Sequence, residues 1–152
     1  MSVFAGFLAN TNTPVVPSAY NKTNAVTLSF GASTVDALSA RPPKNICEFG
    51  RLIVELNDAA GVTQVDCFLT WDADGDHLAA GPFSSTSIVA ALTDALSEDK
   101  VSVAFGLDQW VAVWPSTGTH PTLYLHLKHT GGSSTPDVVT AHLLWRQRPE
   151  MF

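Results

Sequence analysis

Along most of this chain apolar and polar residues alternate one for one, and the breaks in that alternation outline the elements. In the last third, Leu123, Leu125 and Leu127 interleave with Thr122, Tyr124, His126 and Lys128. After the break Gly131-Gly132-Ser133-Ser134-Thr135-Pro136, Val139, Ala141, Leu143 and Trp145 interleave with Val138, Thr140, His142 and Leu144. A period of two sends successive side chains to opposite faces, so each run predicts a strand with one buried face. The Gly/Ser/Pro break predicts that the two runs form an antiparallel hairpin. Upstream, Val26, Leu28 and Phe30 alternate with Thr27 and Ser29 until Gly31. Leu52, Val54 and Leu56 point one way and Arg51 and Glu55 the other; Asn57-Asp58-Ala59-Ala60-Gly61 then turns the chain into Val62 to Trp71, which predicts a second hairpin. Val101 to Leu107 and Gln109 to Trp114 read as two further strands joined near Gly106-Leu107-Asp108. Arg41-Pro42-Pro43 favours extended backbone within a loop over 35–44.

Gly81 to Lys100 fits two patterns. Ile88, Val89, Leu92 and Leu96 recur at helical spacing behind a capping Ser87, whereas Thr86 to Thr93 is rich in the β-branched and small residues of a strand. An all-β context favours the strand. The expected fold is therefore an all-β antiparallel β-sandwich of about seven or eight strands, jelly-roll-like, over residues 25–152. Residues 1–24 stand apart. They carry one charge, Lys22, three apolar patches (Val3/Phe4, Phe7/Leu8, Val15/Val16) and two prolines, Pro14 and Pro17. Such a segment is too apolar for a free tail. It is expected as an extended N-terminal arm lying either on its own domain or on a neighbouring subunit, with those six apolar residues as the contact surface.

Composition sharpens the functional side. Charged residues are 14 % of the 152-residue chain, against roughly 25 % in an average domain, so part of the surface is expected to be covered by other protein. The net charge is −6, and Arg146/Arg148 is the one local basic group. Phosphate binding requires clustered cations, so nucleic acid is not an expected partner. No run approaches the roughly 20 apolar residues of a membrane helix, and the first residues lack the basic start and apolar core of a secretory signal; the expected setting is the cytoplasm. Cys47 and Cys67 are too few for a disulfide framework. Cys67 shares a face with Leu69 and Trp71 and reads as a small buried hydrophobe, and a Cys47–Cys67 bridge stays open if their strands are neighbours.

Few positions carry candidate chemistry. Asp72-Ala73-Asp74-Gly75-Asp76 places three carboxylates at alternate positions, as a Ca²⁺ loop begins. The loop's sixth position is His77 rather than Gly and its twelfth is Phe83 rather than Glu, so a plain Asp/Gly turn is the competing reading. Trp110 and Trp114, with Tyr124 from a following strand, would make a ring platform for a sugar, whereas Trp71 and Trp145 end apolar runs and read as core. His77, His120, His126, His129 and His142 form no ligand motif. His126 and His142 are expected on solvent-facing strand surfaces, opposite one another across the last hairpin. There is no Gly-x-Ser-x-Gly elbow and no phosphate-cradling glycine loop; neither enzymatic activity nor a cofactor is expected.

Four segments together carry a resemblance: Gly50-Arg51-Leu52-Ile53-Val54-Glu55-Leu56, Phe68-Leu69-Thr70-Trp71-Asp72-Ala73-Asp74-Gly75-Asp76, Leu123-Tyr124-Leu125-His126-Leu127-Lys128 and Ala141-His142-Leu143-Leu144-Trp145-Arg146. Over roughly residues 50–146 the chain resembles small β-sandwich structural proteins of tailed-bacteriophage particles, such as capsid decoration (cement) proteins. The resemblance implies a non-catalytic virion component, assembled in the host cytoplasm. It would bind other virion proteins, such as the major capsid protein, and be a homo-oligomer itself. A carbohydrate- or receptor-binding sandwich is the alternative.

Overall fold

The computed structural model describes residues 5–29, 46–91, 94–113, 122–132 and 135–147. Wherever the apolar phase of a described strand runs unbroken, that phase faces inward. Leu52, Val54 and Leu56, then Val65, Cys67 and Leu69, then Leu123, Leu125 and Leu127 are all buried. The strands are β1 (Ala5–Ala9), β2 (Val26–Ser29), β3 (Ile46–Asn57), β4 (Val62–Thr70), β5 (Leu78–Ser85), β6 (Ile88–Ala90), β7 (Val101–Val113), β8 (Thr122–Gly131) and β9 (Asp137–Gln147). A short 3-10 turn, Lys22–Asn24, precedes β2 and is capped by the Asn21 side chain on the Thr23 N–H.

Two antiparallel sheets face each other, ordered β1-β9-β3-β7-β6 and β2-β8-β4-β5. The strand partners are nested: β1 with β9, β2 with β8, β3 with β7, and β4 with β5. The chain is thus one long hairpin, with its tip at the β4–β5 loop, rolled so that successive rungs fall alternately in the two sheets. That is the jelly-roll topology. Bonds between β3 and β9 and between β4 and β8 then join the rungs sideways. One core cluster lies between the sheets, with Phe49, Phe105, Leu28, Leu69 and Leu143 among its fully buried members.

The topology revises the expected pairings. β8 and β9 follow one another but lie in different sheets, and so do β3 and β4, so neither pair is a hairpin. Alternation reports which face is buried, not which strand is the neighbour. The two strands expected over 101–114 are one strand, β7. Where a turn was expected, Asp108 and Gln109 adopt positive φ (53° and 58°), and β7 advances from Gly106 to Trp110 while β3 advances only from Arg51 to Phe49. The result is a bulge that bends the strand without ending it. A second bulge resets β9. Glu55 pairs with Thr140 but Leu56 pairs with Val138, so Val138, expected outside, is fully buried. Within 81–100, the strand reading holds for Ile88–Ala90. The expected Phe30 strand end and the 35–44 loop lie outside the described residues.

Candidate functional site

The Asp72–His77 loop sits at the tip of the rolled hairpin. The Trp71 N–H reaches the His77 carbonyl at 2.9 Å and closes the loop. Asp72 uses its carboxylate on the loop itself: Oδ1 accepts the N–H groups of Asp76 (2.8 Å) and His77 (3.1 Å), and Oδ2 lies 3.0 Å from His77 Nδ1. Partial burial opposes the charge, but these bonds from His77 and Asp76 hold the carboxyl below its usual range, and they in turn raise the His77 imidazole. Asp74 faces Lys22 at 3.9 Å, both exposed. The three carboxylates therefore do not converge, and among the described residues no group of three His, Cys, Asp or Glu side chains is placed to hold a metal. The Asp72, Asp74, Asp76 cluster is a self-capped turn.

Beneath that loop lies a residue the alternation assigned to solvent. His126 is 3 % exposed. Its ring stacks on Phe68 at 4.6 Å, and Tyr20 packs edge-on against Phe68 at 4.8 Å. Gly75 covers the ring, since a Cβ there would lie 3.7 Å from His126 Cε1. Thr70 Oγ1 donates its one hydrogen to the Asp72 carbonyl at 2.6 Å, so the 2.8 Å contact between Thr70 Oγ1 and His126 Nε2 requires the ring N–H to donate. Burial favours the neutral ring and lowers its pKa, against a smaller opposing pull from Asp72. His126 and His142 do not meet across a hairpin, because their strands belong to different sheets; His142 is exposed as expected.

The same outer surface carries a polar row. Asp66 accepts from Gln64 at 2.8 Å and from Ser84, and Lys128 stands 3.8 Å away. Lys128 also lies 4.9 Å from the Tyr20 ring centroid. Burial pushes the Tyr20 hydroxyl up to about 12. Cys47 and Cys67 are free and buried. Burial pushes the Cys47 thiol up to about 12 and raises Cys67 further, so neither supplies a thiolate nucleophile near neutral pH.

The expected ring platform is not assembled from Trp110 and Tyr124. Trp110, on β7, reaches across the edge of the sandwich: its indole N–H donates to the Ala79 carbonyl at 3.0 Å, and its ring meets Phe83 edge-on at 5.6 Å. Tyr124 is on β8 in the other sheet, between Thr27 and Thr70. Trp114 lies outside the described residues.

The N-terminal segment runs along its own domain. β1 pairs with β9 through Ala9↔His142, the Val16 N–H reaches the Pro136 carbonyl at 2.7 Å, and the His129 N–H reaches Pro17 at 3.0 Å. Leu8 and Val16 are buried in the chain's own core and are not available to a neighbour; Phe7 and Val15 remain exposed. Val3 and Phe4 lie outside the described residues.

What stands open is the outer face of the five-stranded sheet. Phe7 and Leu144 are side by side on it, Ile53 is opposite His142, and Val89 is opposite Ser102. A shallow groove of about 700 Å³ crosses this face, lined by residues including Phe7, Ala9, Ile53, Thr140 and His142. Sequence reasoning passed over Ile53 and Leu144 because they occupy the polar phase of their strands, yet an apolar residue in that phase was itself the signal. Neither a protein-family model nor any curated protein sequence matches this chain.

Proposed function

We propose that the chain is a non-enzymatic structural protein of a phage-like particle, a capsid decoration (cement) protein or related virion component. It binds neighbouring subunits, including the major capsid protein, through its N-terminal segment and the surface of its sandwich. The observation that carries this reading is the set of large apolar side chains left standing on one sheet face. Phe7 is 66 % exposed and Val89 61 %, with Ile53 and Leu144 between them. Side chains of this size bury roughly 1.5–3 kcal/mol each when covered, which is the chemistry of a protein contact.

Two further features support it. Several potentially reactive groups are held in structural contacts: the Asp72 carboxylate caps its own loop, His126 bonds to Thr70, and both thiols are buried in the core. The low charge content leaves a surface that crowds well against other protein. The jelly roll agrees with the resemblance noted above, a fold-level analogy. The carbohydrate-binding reading loses its geometric basis where Trp110 and Tyr124 are held apart.

The test is composition and position in purified particles. Particles produced by cells that carry the gene should contain this chain in many copies, and antibodies against it should decorate their surface in electron micrographs. Particles lacking the chain would remove the reading.

A further inference from the structure

A histidine that is 3 % exposed has its protonation state settled by its neighbours. At His126 they admit one form. Nε2 carries the hydrogen that Thr70 Oγ1 accepts, because that hydroxyl spends its own hydrogen on the Asp72 carbonyl. Nδ1 is then the bare nitrogen of a neutral ring, and among the described residues it has no hydrogen-bond partner. A proton added at Nδ1 would create a buried charge and a buried donor without an acceptor, both costly in a closed site.

The groups that face the ring offer no relief. On β8 its same-face neighbours are Tyr124 and Lys128; on β4 they are Asp66, Phe68 and Thr70. Asp66 is engaged by Gln64, Ser84 and Lys128. The connection before β2 brings Tyr20 onto Phe68 and Lys22 toward Asp74. The tip loop supplies Asp72, Asp74, Asp76 and His77. Asp72 favours the charged ring electrostatically. Yet both of its oxygens are committed within the loop, to the N–H groups of Asp76 and His77 and to the His77 ring. Acidification strengthens that commitment, since the exposed His77 imidazole is raised by Asp72 and takes its proton before His126 does.

The walls and the cover around His126 are held very differently. β8 is fixed by backbone ladders to β4 on one side and β2 on the other. The loop instead covers the ring with Gly75, which has no side chain to wedge there. It is tied to the body by the Thr70–Asp72 bond and the exposed Lys22–Asp74 pair. Its two ends are anchored by Trp71, packed against the core, and by the buried Ala79.

We propose that the 72–77 loop is a pH-operated cover: protonation of His126 lifts it as one body from the outer face of the four-stranded sheet, exposing the ring and Phe68 to water while the sandwich stays folded. The proton comes from solvent to Nδ1, and the new N–H bonds to the water that the opening admits. The loop stays in one piece through the bonds of Asp72 to Asp76 and His77 and the closure of Trp71 on His77.

The experiment follows loop and ring separately. Ala73 is exposed in the loop and the two native thiols are buried, so Ala73→Cys takes a nitroxide spin label selectively. From pH 7 to pH 5 the label's spectrum should change from mainly restricted to mainly mobile, with the far-ultraviolet circular dichroism unchanged. The midpoint should coincide with the titration of the His126 ring read by proton NMR, below 6.5. His126→Gln keeps an N–H for Thr70 but cannot titrate, and should abolish the transition; His77→Gln should preserve it. A label restricted throughout, a midpoint above 6.5 that follows His77, or a transition that survives in His126→Gln would each overturn the cover. So would mobilisation accompanied by loss of the circular dichroism signal, which is global unfolding. The midpoint comparison keeps both histidines native, so it stands as a test should His126→Gln fail to fold.

Discussion

His126 shows how one side chain can tie three remote segments together. It receives Phe68 from β4, Gly75 from the hairpin tip and, through Phe68, Tyr20 from the β1–β2 connection. None of these partners is near it in sequence, so alternation along β8 had no means of revealing the burial. The energetic consequence is a pH dependence. Burial sets its folded pKa below the ordinary 6.5, so between those two values the unfolded chain binds a proton that the folded chain does not. Stability from this residue is complete above about 6.5 and falls as pH drops toward the lowered folded value. Asp72 and Asp66, with carboxyls held low, lose their share at still lower pH, near and below the usual carboxylate pKa of about 3.9. His77, raised by Asp72, works in the opposite sense: its contribution is present below 6.5 and fades as pH rises through its raised pKa. Urea unfolding of the wild type should therefore show a loss of stability on going from pH 7 to pH 5, and His126→Gln should flatten that slope. A slope unchanged by the substitution would assign the dependence to other groups.

Elements meet where their connections do. The β3–β4 and β8–β9 connections lie against one another at one end of the sandwich: Gly131 has φ +83°, and a Cβ there would sit 2.7 Å from the Gly61 carbonyl oxygen. Both conditions demand glycine, since a side chain would be strained by the backbone and blocked by a neighbouring main chain that cannot move aside. Gly131→Ala should destabilise the fold by about 1–3 kcal/mol, measured by chemical denaturation. Gly6→Ala, with nothing within 4 Å of the new methyl, should be neutral or slightly stabilising. Equal effects at the two positions would contradict the close approach. The same region marks what was legible in the chain. Strand positions, their buried phase and the sandwich class followed from Leu123, Leu125 and Leu127 or Leu52, Val54 and Leu56, because a period of two is a local property. Partners did not follow, since a Gly/Ser/Pro break after Gly131 looks the same whether the chain doubles back in one sheet or crosses to the other. The bulges at Asp108/Gln109 and Val139 were equally hidden, for they arise from mismatched lengths of paired strands. For the site, the Asp72 loop was visible as a cluster of carboxylates, but only the bonds from Asp76 and His77 reveal that it closes on itself.

At the scale of the whole molecule, the rolled hairpin places the first described strand beside the last, β1 against β9. The apolar residues of the sheet edge and those of the sheet face thereby become one surface, although Phe7 and Leu144 stand at opposite ends of the chain. The net charge of −6 acts against bringing two such surfaces together, and the attraction must come from apolar area rather than from ion pairs. The two forces respond differently to salt. Like-charge repulsion between copies is screened over a Debye length of about 10 Å at 0.1 M ionic strength and about 3 Å at 1 M, whereas apolar burial is not weakened by screening. Raising sodium chloride from about 0.05 M to about 0.5 M should therefore leave the associated fraction unchanged or increase it, as read by light scattering at fixed protein concentration. An interface built on charged contacts, such as the exposed Arg146–Glu48 pair exchanged between copies, would lose association over the same range. A fall in mass with salt would thus move the contact away from Phe7 and Leu144 and onto the charged rim.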